Sequence, residues 1–370
     1  KDEDGNGIGT ASSTIMLEEV AIHGFGGYGV LATGHSNIYC KSSAEGVLDG
    51  ITVTGSGSGI ISTRNSSIVA RHATLQGNMR DQVYALYDSH IDMPDSVVSG
   101  GARHGILADR ASSISSERCS STGNTYTGFY SHSASSVYCA DSFSNGNGHN
   151  GFVSQFASSM FADGCQAVGN NGSGFGSYSS SHMRANTYTE HNKGRSANNA
   201  GNGVSAGSGS SMEIRNMHVV SNRVYGIVAS QGSFIDFTNS GSYYTYQRSS
   251  ALDNGYYQDG YDRPQIAAYW NSTIQCMGAL IRRRAGVIDT DAVRAAHSSS
   301  LYLSSSDETY YNTTILANTS GGRPLVYSYK LSHMYDSDSN LSHSPNTSSY
   351  YSPLGNVLSS DGAYNQVYKS

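Results

Sequence analysis

Proline and charge are both scarce in this 370-residue chain: there are 5 prolines, and Lys, Arg, Asp and Glu together make up 14% of residues. A soluble domain usually carries nearer a quarter of its residues as charges. Disordered low-complexity chains tend to be rich in proline and charge, so the polar, glycine-rich composition needs another cause. Basic residues number 22 against 28 acidic ones, a formal net charge of -6. No broad basic field meets a phosphate backbone, which disfavours general nucleic-acid binding. No apolar run approaches the roughly 18 residues of a membrane span, and membrane insertion is not expected. The chain starts at Lys1 with no apolar signal-peptide core, and it reads as a piece of a longer protein. Cys40, Cys119, Cys139, Cys165 and Cys276 are odd in number and scattered, without CxxC or zinc spacing, so buried free thiols are expected.

What is present is a period. Gly105-Ile106-Leu107-Ala108, Gly128-Phe129-Tyr130-Ser131, Gly151-Phe152-Val153-Ser154 and Gly174-Phe175-Gly176-Ser177 each begin 23 residues after the one before. Counting back gives Gln82-Val83 and Gly59-Ile60, and short insertions restore the register at Gly29-Val30, Gly203-Val204 and Gly226-Ile227. A second apolar residue follows nine positions after each start: Ile38, Ile68, Ile91, Ile114, Val137, Met160, Met183, Met212 and Ile235. Near the end of the unit, Gly77-Asn78, Gly123-Asn124, Asn147, Gly169-Asn170 and Asn222 mark a turn. Two short strands and two or three turns per unit are expected, far too punctuated for helices.

Alternation gives the direction of the side chains. Offsets one and three from each start are apolar or small and line an interior, whereas offsets two and four vary and face out. A unit of this size cannot bury its apolar side alone, but stacked coils can. A sandwich of antiparallel hairpins requires no fixed offset, so the expected fold is all-β: a parallel β-helix of about 23 residues per coil. Ser and Asn at fixed offsets can form hydrogen-bonded ladders along it, which accounts for the composition. Ser13-Thr14-Ile15 stands one period before Ile38, so the body is expected to start almost at residue 1. No amphipathic helix caps that end, and a further upstream domain is expected to cover it. The regular solenoid is placed at 1–240 and an irregular, Tyr- and Ser-rich region at 241–370, where coil starts lie 27 and then 33 residues apart. Larger coils with loops, or strands leaving the solenoid, both give this pattern. Of the 27 tyrosines, 17 lie beyond residue 240, among them Tyr243, Tyr244, Tyr256, Tyr257, Tyr261, Tyr350 and Tyr351, and they suit subunit or sugar contacts.

The run Ile22-His23-Gly24-Phe25-Gly26-Gly27-Tyr28-Gly29-Val30, the Gly-aromatic and Gly-aliphatic coil starts and the irregular final third resemble the right-handed parallel β-helix proteins of the pectate-lyase type. They are similar above all to bacteriophage tailspikes and receptor-binding tail fibres. The resemblance covers about residues 5–300 and is one of architecture. It implies a homotrimer with intertwined C-terminal strands, placed on the virion tail behind a virion-attachment domain. It further implies binding, and often cleavage, of a bacterial capsular polysaccharide or lipopolysaccharide O-antigen. A non-catalytic adhesin on the same scaffold is the alternative, and a secreted pectate-lyase-like enzyme or epimerase a third.

Residues distant in sequence but equal in offset become neighbours on one face. Arg80, Asp81, Tyr84, Arg103, His104, Asp109, Tyr130, His132, Gln155 and Tyr178 gather in this way from successive coils. For a lyase, Arg80 or Arg103 neutralises a uronate carboxylate, His132 or His104 takes the C5 proton, and Tyr130 or Tyr84 protonates the leaving oxygen. For a hydrolase, Asp81 and Asp109 are the carboxyl pair, with Asp88 a looser substitute; the separations required are about 5 to 5.5 Å for retention or roughly 6.5 to 9.5 Å for inversion. Arg80, Tyr84, Arg103, His104, Gln155 and Tyr178 are the expected glycan contacts. A second face carries Asp92, Glu117, Asp163, Glu213 and Asp236. The basic run Arg282-Arg283-Arg284 with Asp289 and Asp291 reads as ion pairs, and Asp2-Glu3-Asp4 as a frayed start. No calcium loop is recognisable and no cofactor is expected.

Overall fold

Each repeat forms three strands where hydrophobic periodicity shows two. In the computed structural model the unit from Gly105 folds as Ile106–Asp109, Ser113–Ser115 and Ser120–Thr122, and the next as Phe129–His132, Ser136–Tyr138 and Phe143–Asn145. Each strand pairs in parallel with its equivalent one coil on: Ile106 with Phe129, Ser113 with Ser136, Ser120 with Phe143. The result is an all-β, right-handed parallel β-helix with three parallel sheets. The structure describes residues 5–41, 50–187, 194–238, 249–255, 264–277, 279–282 and 293–302. It also describes the strands Thr314–Ala317, Val326–Tyr329, His333–Asp336, Asn340–His343, Val357–Ser360 and Tyr364–Val367.

The inward rows match the period. Ile60, Val83, Ile106, Phe129 and Phe152 line the first sheet and Ile68, Ile91, Ile114, Val137 and Met160 the second, all buried. The Phe129 and Phe152 rings stack at 4.8 Å with 12° between their planes. In the third sheet the inward residue changes along the row, from Leu75 and Val98 to Ser121 and Ser144 and then Ala167. Ser121 and Ser144 are buried, and their hydroxyls donate to the Gly128 and Gly151 carbonyls. A row that mixes apolar, small and polar residues offers no constant apolar offset, and this hides the third sheet in the sequence.

The turns are held by ladders. Asn124 Nδ2 donates to Asn147 Oδ1 and Asn147 Nδ2 to Asn170 Oδ1, each at 3.0 Å, and the same carbonyl oxygens accept the backbone N–H of the preceding asparagine. An identical residue one coil away thus supplies one partner of each buried amide, and Ser121 and Ser144 supply others. Between the first and second sheets the N–H of Ser89, Ser112 and Ser135 donates to Oγ of Ser112, Ser135 and Ser158. The five cysteines are buried free thiols, as expected.

The chain divides into two compact units, Lys1–Asn171 with Ser181–Met183, and Gly172–Ser180 with Arg184–Ser370. In the first, Ile8 pairs with Val30 and Thr14 with Asn37, so coils begin near the start of the chain. In the second, Ile227 pairs with Ile266, Ile266 with Val293 and Val293 with Val326. The broken period is therefore one of larger coils that keep parallel pairing. Tyr243, Tyr244, Tyr256, Tyr257, Tyr261, Tyr350, Tyr351, Arg283, Arg284, Asp289, Asp291 and Asp2-Glu3-Asp4 lie outside the described residues. Arg282 is described and pairs with Asp253. No helix among the described residues is long and apolar enough to cross a membrane.

Candidate functional site

On the outer face of the first sheet, in the first unit, parallel register sets Tyr84, Leu107, Tyr130 and Val153 in one row. Leu86, Asp109, His132 and Gln155 stand at the next outward position of the same strands. These positions point outward as the alternation requires, yet Leu107, Val153 and Asp109 are buried. Large rings alternate in register with short side chains, and the rings account for the cover.

Asp109 and His132 share an offset one coil apart, and they meet. His132 Nδ1 lies 2.8 Å from Asp109 Oδ1, and the Tyr84 hydroxyl donates to Asp109 Oδ2 at 3.3 Å. Arg110 Nε stands 3.7 Å from the same Oδ2, and the aspartate side chain is only 13% exposed. A carboxylate only accepts, so the His132 hydrogen sits on Nδ1 and the Nε2 lone pair is left as a base. Ser133 Oγ also lies 2.7 Å from Nδ1. The imidazole is held edge-on between Tyr130 at 5.2 Å and Phe156 at 5.0 Å.

Tyr130 donates to Gln155 Oε1 at 2.7 Å. Burial first, then the negative charge of Asp109, pushes its hydroxyl up to about 12, and the same two causes bring Tyr84 to about 12. Both phenols therefore stay neutral and serve as proton donors at ordinary pH.

Asp81 is sealed, its side chain 3% exposed; Arg103 lies 3.3 Å away and the His104 N–H donates to it at 3.1 Å. Burial pushes its carboxyl above the usual range against the pull of Arg103. His104 accepts the Thr127 N–H on Nδ1 at 3.3 Å, so its ring hydrogen lies on Nε2. Burial, then the positive charges of Arg103, His149 and His132, lower His104 to about 4. The rings of His149, Tyr126, His104, Tyr130, His132 and Phe156 follow one another with centroids 5.0 to 5.4 Å apart.

That buried imidazole has a consequence for stability. Unfolded, His104 takes a proton below about 6.5; folded, it does so only below about 4. Between those values the unfolded chain binds more protons, so the folded state loses stability as pH falls through that window. Against a His104→Gln variant, the wild type is expected to lose on the order of 3 kcal/mol more across the window. Denaturant melts at several pH values check this, and equal losses in the two proteins overturn it.

Arg80 is exposed and acts on Asp81 only through charge, while Asp88 sits exposed in a turn with φ 55. Tyr178 belongs to the second unit, where its ring lies against Gly176 and its hydroxyl bonds Ser173 and Ser205. On or beside the second sheet's outer face, four of the five carboxylates expected there, Asp163 being the fifth, form ion pairs: Asp92 with Arg71, Glu117 with Arg118, and Glu213 and Asp236 with Arg215. Among the described residues no three metal-ligating side chains converge.

Sequence reading missed the turn row beside the site. Tyr87, Arg110, Ser133 and Phe156 all adopt left-handed backbone, and Tyr87, Arg110 and Phe156 are exposed. The Arg110 guanidinium lies 4.7 Å over the Tyr87 ring and bonds its hydroxyl. The signal was a fixed offset of five, but strand alternation ends there, so nothing indicated where those side chains point.

Residues 82–241 match a family described as the right handed beta helix region. No curated protein sequence matches the chain. Among solved structures it is similar to the A-module of the Azotobacter vinelandii mannuronan C-5 epimerase AlgE4, with TM-score 0.53, 12% identity, and coverage of 90% of this chain and 91% of that one. The AlgE6 A-module of the same organism gives 0.50 and 14%, covering 93% and 91%. The gp42 tailspike of Acinetobacter phage vb_AbaP_AS12 is more distant, at TM-score 0.34 and 10% identity, covering 85% and 57%. At these identities the likeness is one of fold, and the resemblance to right-handed parallel β-helix proteins holds at that level.

Proposed function

We propose that the first unit binds an acidic bacterial glycan along the outer face of its first sheet and abstracts the proton α to a uronate carboxylate. The observation that carries this reading is the Asp109–His132 pair, with Nε2 left free beside the neutral Tyr130. His132 Nε2 takes the C5 proton, and the C–H electron pair moves into the carboxylate as an enediolate. Arg110 and Arg103, each about half exposed at 54% and 51%, offer the positive charge that stabilises it. Two outcomes share this step. The electrons return to form a C4–C5 double bond while the C4–O4 bond breaks and Tyr130 protonates the departing oxygen, or Tyr130 protonates C5 from the opposite face and inverts it. Lysis and epimerisation differ only in which atom receives the Tyr130 proton.

Hydrolysis fits less well. It needs one protonated carboxyl at the glycosidic oxygen and a second carboxylate free to act. Asp81 is sealed behind Arg103, and Asp109 is committed to His132 and Tyr84. The mannuronan named for the similar A-modules is a uronate polymer, which agrees with an acidic substrate. Capsular polysaccharide and lipopolysaccharide O-antigen are the proposed sources, met by a homotrimer on a phage tail or by a secreted protein. Residues 241–370 are proposed to supply oligomerisation or glycan contacts. Light scattering at three times 39.2 kDa supports the trimer, and the monomer mass overturns it.

A second reading, a pure adhesin, is favoured by one fact. Tyr84, Tyr130, Asp81 and Asp109 already have partners within the chain, as in a rigid binding surface. Incubation with acidic capsular, O-antigen and mannuronate polysaccharides separates the possibilities. Shortened chains with a new ultraviolet-absorbing double bond mean a lyase. Unchanged length with inverted C5 signals in proton spectra means an epimerase. Binding without either means an adhesin, and shortened chains without the double bond mean hydrolysis and overturn the proposal.

A further inference from the structure

We propose that the second unit carries a separate saccharide-binding platform built on Trp270, independent of any chemistry in the first unit. Trp270 is the only tryptophan in the chain, and it is 52% exposed. It occupies the turn between first- and second-sheet strands with φ 52, the left-handed conformation that this turn row repeats from coil to coil, at Tyr87, Arg110 and Phe156 as well as here. Nothing in the turn requires an indole. The equivalent positions of the preceding coils, Ser208 and Gln231, make the same left-handed turn with small or polar side chains. Neither burial nor turn geometry explains the residue, and an exposed ring held in place among polar neighbours points to a ligand.

The ring is fixed in place. Gly232 N–H donates to the Trp270 carbonyl at 2.8 Å, and the next residue, Asn271, donates to the His297 carbonyl at 3.0 Å, so the backbone is tied to the coil on either side. The His297 ring lies nearly parallel to the indole, 5.7 Å away at 25°. Tyr269 is tilted against it at 5.6 Å. Behind them the Tyr225 and Tyr269 hydroxyls stand 3.5 Å apart, and Arg294 hydrogen-bonds Tyr269. Indole and imidazole present flat apolar area, and the half-buried phenols of Tyr269 and, next to it, Tyr225, with the Arg294 guanidinium, supply hydrogen-bonding groups beside it.

A pyranose ring matches that arrangement. Its C–H face lies on the indole, and its equatorial hydroxyls reach the Tyr225 and Tyr269 oxygens. Arg294 adds a positive group suited to a carboxylate-bearing sugar. A protein partner is the weaker fit, because Ser230, Gln231, Asn271 and Ser298 surround the indole in sequence and coil, with no broad apolar patch among the described residues there. A single exposed ring with polar flanks suits one or two sugar residues.

Because the chain has one tryptophan, fluorescence excited at the red edge of its absorption, beyond that of the 27 tyrosines, reports on this platform alone. The full chain is titrated with hexamannuronate, with cellohexaose, and with oligosaccharides cut from the capsular and O-antigen polymers used above. A saturable change in intensity or emission maximum is expected with at least one of them. His297→Ala and Tyr269→Phe are then expected to weaken that Kd about fivefold each, with unfolding midpoints unmoved. No saturable change with any oligosaccharide overturns the proposal, as does a Kd that neither substitution alters. The readout needs no turnover, so a first unit that proves inert leaves this test intact, and an active first unit does not pass it by default.

Discussion

Phe152→Ala is expected to cost about 3 to 5 kcal/mol of unfolding free energy. The ring is fully buried and stacked on Phe129 at 4.8 Å. In a globular core, neighbours close partly over such a cavity. Here the coil that would have to move is pinned by parallel pairing of Phe129, Tyr130, Ser131 and His132 with Phe152, Val153, Ser154 and Gln155. It is pinned again by the Ser135–Ser158 and Asn124–Asn147 ladders, whose geometry depends on the spacing of the coils. The cavity should therefore persist, and the change should register near the upper end of the range. Denaturant melts of the full chain, compared with the outward Gln155→Ala, provide the measurement. A loss below about 1 kcal/mol would mean that the coils collapse over the gap and that the ladders do not fix them.

The same rigidity explains what the sequence shows and what it hides. Offsets repeat because identical residues must meet one coil apart, so the pairing of Asp109 with His132 follows from arithmetic: both stand four residues past a coil start. The inward rows of the first two sheets were legible for the same reason. The third sheet was not, since its inward row changes from Leu75 and Val98 to Ser121 and Ser144, which bond Gly128 and Gly151 in place of apolar packing. The protonation of His104 was also hidden. It depends on Thr127 supplying a backbone N–H and on burial beneath rings from other coils, and neither is a property of a residue type. Tyr87, Arg110, Phe156 and Trp270 were illegible for a third reason, because left-handed turn backbone ends the alternation that says which way a side chain points.

Replacing His132 by Ala should lower the rate of C5 proton removal by about 10²- to 10⁴-fold, the range general-base catalysis contributes, while the melting midpoint stays near that of the wild type. Asp109→Asn tests the orientation of that base. The amide keeps the carboxylate's shape and can still accept from Tyr84, but the NH₂ it can turn toward His132 donates, which favours the tautomer with hydrogen on Nε2. The ring then remains in place with its lone pair pointing at the wrong partner, and a fall of about 10²-fold or more in kcat is expected with KM little changed. Arg110→Ala should act differently: it lowers kcat, because it removes charge from beside the enediolate, and it weakens binding of an acidic glycan more than of its carboxyl-reduced form, which can bind but has no activated C5 proton to lose. Substrate deuterated at C5 gives a check independent of these substitutions, since a primary isotope effect places proton abstraction in the slow step. If His132→Ala and Asp109→Asn both retain full activity, the reacting carbon does not lie at this dyad. The aromatic row from His149 to Phe156 then acts as a binding surface, and the catalytic groups belong to another face.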